Sequence, residues 1–80
     1  MIEAEYTHKG HNLTTLILAK AEHVARLLAE REGLEFEDAF GVFLASHTYQ
    51  VLTRPSTLLW SESAEYVLDD YLREKSRTVV

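Results

Sequence analysis

Apolar residues recur at three- and four-residue steps along most of this chain, and that spacing sets the expected elements. Leu13, Leu16, Ile17, Ala21, Val24, Leu27 and Leu28 form one stripe, as on a helix with a single buried face. Asn12 or Thr14 can cap its start, because a short oxygen-bearing side chain accepts from the orphan N–H groups of a first turn. Gly33 ends it, since glycine takes the left-handed conformation there without steric cost. A helix is therefore predicted over 13–32, with Glu22 and Arg26 as a favourable i,i+4 pair.

A second helix is predicted to begin near Phe36. Glu35, Glu37 and Asp38 crowd its first turn, where the helix dipole favours negative charge. Phe36, Ala39, Phe40 and Phe43 share one face, with Leu44 on its flank. Gly41 weakens the middle by roughly 1 kcal/mol relative to alanine and admits close approach of a neighbouring backbone. Ser46 breaks this helix and caps a short continuation, His47 to Leu52, which turns Tyr49 and Leu52 inward. Pro55 forces a stop by residue 54.

Residues 54–60 (RPSTLLW) read as a loop with an apolar end. Ser61 or Ser63 then caps a last helix, with Glu62 and Glu65 in its first turn. Ala64, Val67, Leu68, Tyr71 and Leu72 make the inner face, and Arg73, Lys75 and Arg77 suit the C-terminal end. The segment 1–11 (MIEAEYTHKGH) alternates weakly, Ile2, Ala4 and Tyr6 against Glu3 and Glu5. With no second strand to pair with, it reads as a flexible tail. The expected fold is all-α, a small three-helix domain with a short extra connecting helix. It occupies 12–75, between flexible tails at 1–11 and 76–80.

Size changes what such a fold needs. A core of 80 residues rarely supplies more than roughly 3–5 kcal/mol of net stability, so small domains lean on disulfides, metals or partner subunits. There is no cysteine, which removes disulfides and thiolate zinc sites. A partner, self or foreign, becomes the expected supplement. No apolar run has the length of a membrane span, and the first twelve residues lack the apolar stretch of a signal peptide. A cytoplasmic protein is expected.

Charge narrows the partner. The net charge is −5, and between Glu22 and Asp70 ten acids face only Arg26, Arg31 and Arg54. A duplex-binding surface needs clustered lysine and arginine, so this region repels nucleic acid and anionic lipid. It attracts a basic protein. The alternative from another class is a homodimeric DNA-binding regulator, because residues 36–54 follow a helix–turn–helix order. Its second member, HTYQVLTR, carries one arginine, few groups for a recognition helix.

Candidate chemistry is sparse. His8 and His11 in HKGH are close enough to share a metal ion, but zinc needs further ligands, and a solvated tail is the plainer explanation. His23 reads as a surface residue beside Glu22 and Arg26. Ser46 and His47 are adjacent on a helix and point roughly 100° apart, so they make no nucleophile–base pair. Asp69 and Asp70 fall on a solvated face. No phosphate loop or metalloprotease histidine pair is present. No catalytic residue, cofactor or metal is assigned, and a non-enzymatic function is expected.

The aromatic residues say more. Phe36, Phe40, Phe43, Tyr49, Trp60, Tyr66 and Tyr71 are mostly core, since a three-helix domain needs large side chains at its centre. Leu58, Leu59 and Trp60, adjacent to one another and followed by Tyr66, exceed what one small core absorbs. These four are the expected partner-binding residues, with Trp60 as a plug for the end of the core as the competing reading.

The order Arg31-Glu32-Gly33-Leu34, Phe36-Glu37-Asp38-Ala39-Phe40, Phe43-Leu44-Ala45-Ser46 with Thr48-Tyr49, and Leu59-Trp60-Ser61-Glu62-Ser63 with Glu65-Tyr66 resembles a family of short bacterial helical proteins. These are domains of unknown function, some encoded beside toxin-like genes, including ADP-ribosyltransferase-like ones. The similarity covers roughly residues 13–74 and rests on helix caps and apolar positions. It implies a helical accessory protein, antitoxin-like, that binds a co-encoded partner. It carries over no catalytic residue.

Overall fold

The computed structural model describes residues 7–8 and 11–78. Helix α1 spans Leu13–Glu32, and its buried residues, Leu13, Ile17, Ala21, Val24, Ala25 and Leu28, follow the three–four rhythm. Successive residues turn about 100°, so Leu16 falls to the side of that line and is exposed, while Leu27 is half-buried. The expected stripe was one residue too wide on that flank, and it omitted Ala25. Gly33 closes the helix at φ +68°, and the Leu34 N–H reaches back to the Ala29 carbonyl at 2.9 Å. That is the left-handed cap for which glycine is suited.

Helix α2, Phe36–Leu44, buries Ala39 and Phe43. Phe36 and Phe40 stack with ring centroids 5.3 Å apart, and the Arg26 guanidinium of α1 lies 5.8 Å from the Phe36 centroid. This cation–π contact ties the two helices at their edge. The Ser46 hydroxyl donates to the Phe43 carbonyl at 2.6 Å and accepts from the Tyr49 N–H at 3.0 Å. One side chain thus ends α2 and caps α3, His47–Leu52.

The core gathers around Phe43, which meets Tyr49 of α3 and Tyr71 of α4 edge-on, at 5.8 and 5.7 Å between centroids. Ile17, Val24 and Leu28 join it in one cluster, with Phe40 and Leu68 packed against its margin as partly buried residues. Helix α4 spans Ala64–Thr78 and is capped by Ser63, whose hydroxyl accepts from the Tyr66 N–H at 3.1 Å. The fold is a small all-α domain: α1, α2 and α4 are its principal helices and α3 connects two of them.

Three expected boundaries change. Helix α4 does not stop at Lys75 but continues to Thr78, because Lys75 and Arg77 complement the helix C-terminal dipole. The expected loop over 54–60 is two 3-10 turns, Pro55–Thr57 and Leu59–Ser61. Within the expected N-terminal tail, Thr7–His8 (β1) pairs antiparallel with His11–Asn12 (β2), a local partner the alternating pattern did not reveal. The alternating segment itself, Ile2 to Tyr6, and the final Val79 and Val80 lie outside the described residues.

Candidate protein-docking surface

Pro55 sets the geometry of the predicted contact residues. It opens the first 3-10 turn, and the Thr57 hydroxyl ties that turn to α3, 2.9 Å from the Val51 carbonyl and 2.8 Å from that of Arg54. Leu58 then takes a left-handed conformation, φ 61° and ψ 11°. It is the only non-glycine residue with positive φ among the described residues. That region disfavours a leucine by roughly 1–2 kcal/mol relative to glycine.

The reversal at Leu58 splits the triplet. Leu58 is 57% exposed, whereas Leu59 is 7% exposed and belongs to the core. Trp60 is half-buried, packs against the core cluster, and donates its indole N–H to the Pro55 carbonyl at 2.9 Å. Tyr66 is exposed on the first turn of α4. Of the four expected contact residues, Leu58 and Tyr66 are exposed and Trp60 is half-buried. Leu59 is not available: the left-handed Leu58 between the two 3-10 turns leaves the middle of the triplet buried.

Trp60 also floors a shallow depression of about 480 Å³ walled by Leu16, Ala19, Lys20 and His23 of α1, with Ser61 at the rim. On the other side of Ala19 a second depression of about 440 Å³ is formed by Thr15, Leu18 and Glu22 with Phe40 of α2. Leu16 and Leu18 are both exposed and flank the small Ala19 like two rails. The first half of α1 therefore exposes Leu16, Leu18 and Ala19 beside Thr14 and Thr15, and Lys20 is the only charge between Leu13 and Ala21. Leu18 carried a signal in the sequence, an off-stripe leucine with no core position to fill. Leu16 carried none, since its spacing matched the stripe.

No known protein family, characterised protein or solved structure matches this chain.

Several other polar groups are engaged within the fold. Glu74 of α4 reaches the start of α3: its carboxylate accepts from the His47 N–H at 2.9 Å, the Thr48 N–H at 2.8 Å and the Thr48 hydroxyl at 2.6 Å. Partial burial pushes the Glu74 carboxyl up, but the Thr48 hydroxyl and the His47 and Thr48 amides outweigh it and hold it below the usual carboxylate value. Burial, reinforced by the charges of Glu74 and Glu32, pushes the Tyr71 phenol up. Nothing in the sequence marked Glu74, because its partners lie 26 and 27 residues away.

Ser46 spends both its hydrogen-bonding capacities on backbone groups, so it forms no pair with His47. Asp69 and Asp70 both accept from the exposed Arg73 guanidinium. Helix α3 turns Thr48 and Leu52 into the core, leaving it a narrow outward face. The β1–β2 register sets His8 opposite His11. Among the described residues, no group of three or more histidine, aspartate or glutamate side chains converges as metal ligands, and no helix is long and apolar enough to cross a membrane.

Proposed function

We propose that this chain is a small acidic helical module that acts in the cytoplasm by binding another protein rather than by catalysis. Its docking surface is the outward face of the first half of α1, with the Trp60 depression on one side and Phe40 on the other. The observation that carries the reading is the Trp60 depression. A half-buried tryptophan there is flanked by a leucine that the monomer leaves in water. Aromatic anchors in such settings commonly contribute 2 kcal/mol or more to an interface on truncation. Leu58, exposed although its backbone would favour glycine, adds a second apolar projection near the same turn. Strain retained at an exposed side chain points to a role outside the fold.

The resemblance to short helical proteins encoded beside toxin-like genes supports an antitoxin-like accessory whose partner is the product of an adjacent gene. The acidic surface favours a basic partner. Size-exclusion chromatography with light scattering, on the chain alone and co-expressed with its gene neighbour, tests this. A complex of defined mass is expected. Leu16→Lys and Leu58→Ser should each abolish or weaken it while leaving the circular dichroism spectrum intact, because both side chains are exposed. A complex indifferent to both substitutions, or a monomer under every condition, would sink the proposal.

A further inference from the structure

Helix α2 carries a second apolar face that the fold does not use. Its inner side is Ala39 and Phe43, flanked by Phe36 and Phe40. At about 100° per residue, Gly41 and Ala45 fall in the middle of the opposite side. Glu37 and Leu44 run along one edge of that track, and Asp38 and Val42 along the other. All six are exposed, Val42 by 47% and Leu44 by 37%. The result is a shallow seat, small residues in the middle and a large apolar side chain on each rail.

Gly41 is the residue that the monomer does not explain. A Cβ built there meets no atom within 4 Å, and its φ is not in the left-handed region. Neither internal packing nor backbone conformation calls for glycine, which weakens a helix interior. Close approach by another helix does call for it, because the interaxial distance depends on the side chains at the crossing.

Charge selects the occupant. Glu35, Glu37 and Asp38, all exposed at the N-terminal end of the track, make no ion pair among the described residues. Two copies of a chain with net charge −5 would bring like charges together, and nucleic acid and anionic bilayers are repelled by the same acids. We infer that the outward face of α2 seats a basic amphipathic helix of another protein. Its apolar stripe lies in the Gly41–Ala45 track between Val42 and Leu44, and its lysine or arginine side chains lie against Glu37 and Asp38. This is a helix-in-groove contact. It stands independently of the α1 surface.

The test is an amide NMR titration of the full chain with a synthetic amphipathic helical peptide of leucine and lysine, beside a leucine–glutamate peptide of the same pattern. The lysine peptide should bind saturably and shift Gly41, Val42, Leu44 and Ala45, and the glutamate peptide should not bind. Gly41→Arg fills the track and repels lysine, and should weaken binding by about tenfold or more without lowering the melting temperature. Val42→Ser, on one rail, should also weaken it, and Leu16→Lys on α1 should leave it unchanged. The inference is overturned if the lysine peptide does not bind, if its shifts centre on α1, if the glutamate peptide binds equally, or if Gly41→Arg and Val42→Ser bind like the parent. Failure here leaves the α1 reading to its own co-expression test, since Leu16→Lys and Gly41→Arg act on different helices.

Discussion

Helices α2 and α4 deliver aromatic rings to the same place, Phe43 against Tyr71, yet they differ in what they show to water. Helix α4 sorts its residues almost completely, the exposed Tyr66 in its first turn being the exception. Ala64, Val67 and Tyr71 are buried, while Glu65, Asp69, Arg73 and Lys75 face out, with Arg73 shared between Asp69 and Asp70. Helix α2 sorts only its first turn, where Glu37 and Asp38 are exposed. Beyond it the outward residues are Gly41, Val42, Leu44 and Ala45. An ordinary surface helix has one apolar stripe, and a helix apolar all round belongs in an interior. Folding of the monomer therefore accounts for the faces of α4 apart from Tyr66, and for only the inner face of α2. The first half of α1 shares the property of α2, and its charged second half, with Glu22 paired to Arg26, shares that of α4.

That contrast can be broken most severely at the inner face of α2. Phe43 is fully buried and in contact with two aromatic rings, so Phe43→Ala should cost about 3–5 kcal/mol. Against a total of roughly 5–15 kcal/mol for ordinary domains, much of this small fold should be lost in a urea titration followed by circular dichroism. A midpoint unchanged from the parent would mean that α2 does not anchor the core.

Glu74→Gln probes what α4 gives to its neighbours. Hydrogen bonds to a charged group are worth about 1.5–3 kcal/mol, and partial exposure of Glu74 places the expected loss at the lower end. Because the folded carboxyl titrates below the ordinary value of 4.5, its contribution is complete above the unfolded pKa. It disappears as the pH falls through the lower folded value. Urea midpoints of parent and variant should therefore differ at neutral pH and draw together only as the pH falls below 4.5 and through the lowered folded value. A difference that persists undiminished into acid would show that the three hydrogen bonds are not the cause.

The smallest effects compare the two outward faces directly. Gly41→Ala on α2 should raise stability by about 0.8–1 kcal/mol, a melting temperature higher by about 4–8 °C, because the added methyl group meets nothing. Arg73→Ala on α4 removes exposed ion pairs and should leave the melting temperature unmoved. A loss of stability in Gly41→Ala would mean that the outward face of α2 is already in use within the monomer.

Most of the scaffold was legible in the residues because its signals are local. The limits of α1 followed from a stripe and Gly33, those of α3 from Ser46 and Pro55, and the start of α4 from the pair Ser61 and Ser63, of which Ser63 is the cap. Each of these is a residue acting on backbone groups within a turn of itself. The surface was less legible. Leu58, Leu59 and Trp60 could be recognised as too many apolar residues for one junction, but their division could not. It depends on a left-handed leucine, and no glycine marks the place.

The sequence by itself determined the helices, their order, most of the inner residues of each and the acidic charge, since periodicity, capping and composition are carried by neighbours along the chain. Only the tertiary structure decided that Leu59 is buried while Leu58 is open, that Leu16 faces out, that Trp60 floors a depression, and that Glu74 caps a helix remote from it in sequence. The reason is geometric. Whether an apolar side chain is covered depends on which other helix lies over it, at what angle and how closely, and those quantities exist only after α1, α2 and α4 have packed around Phe43.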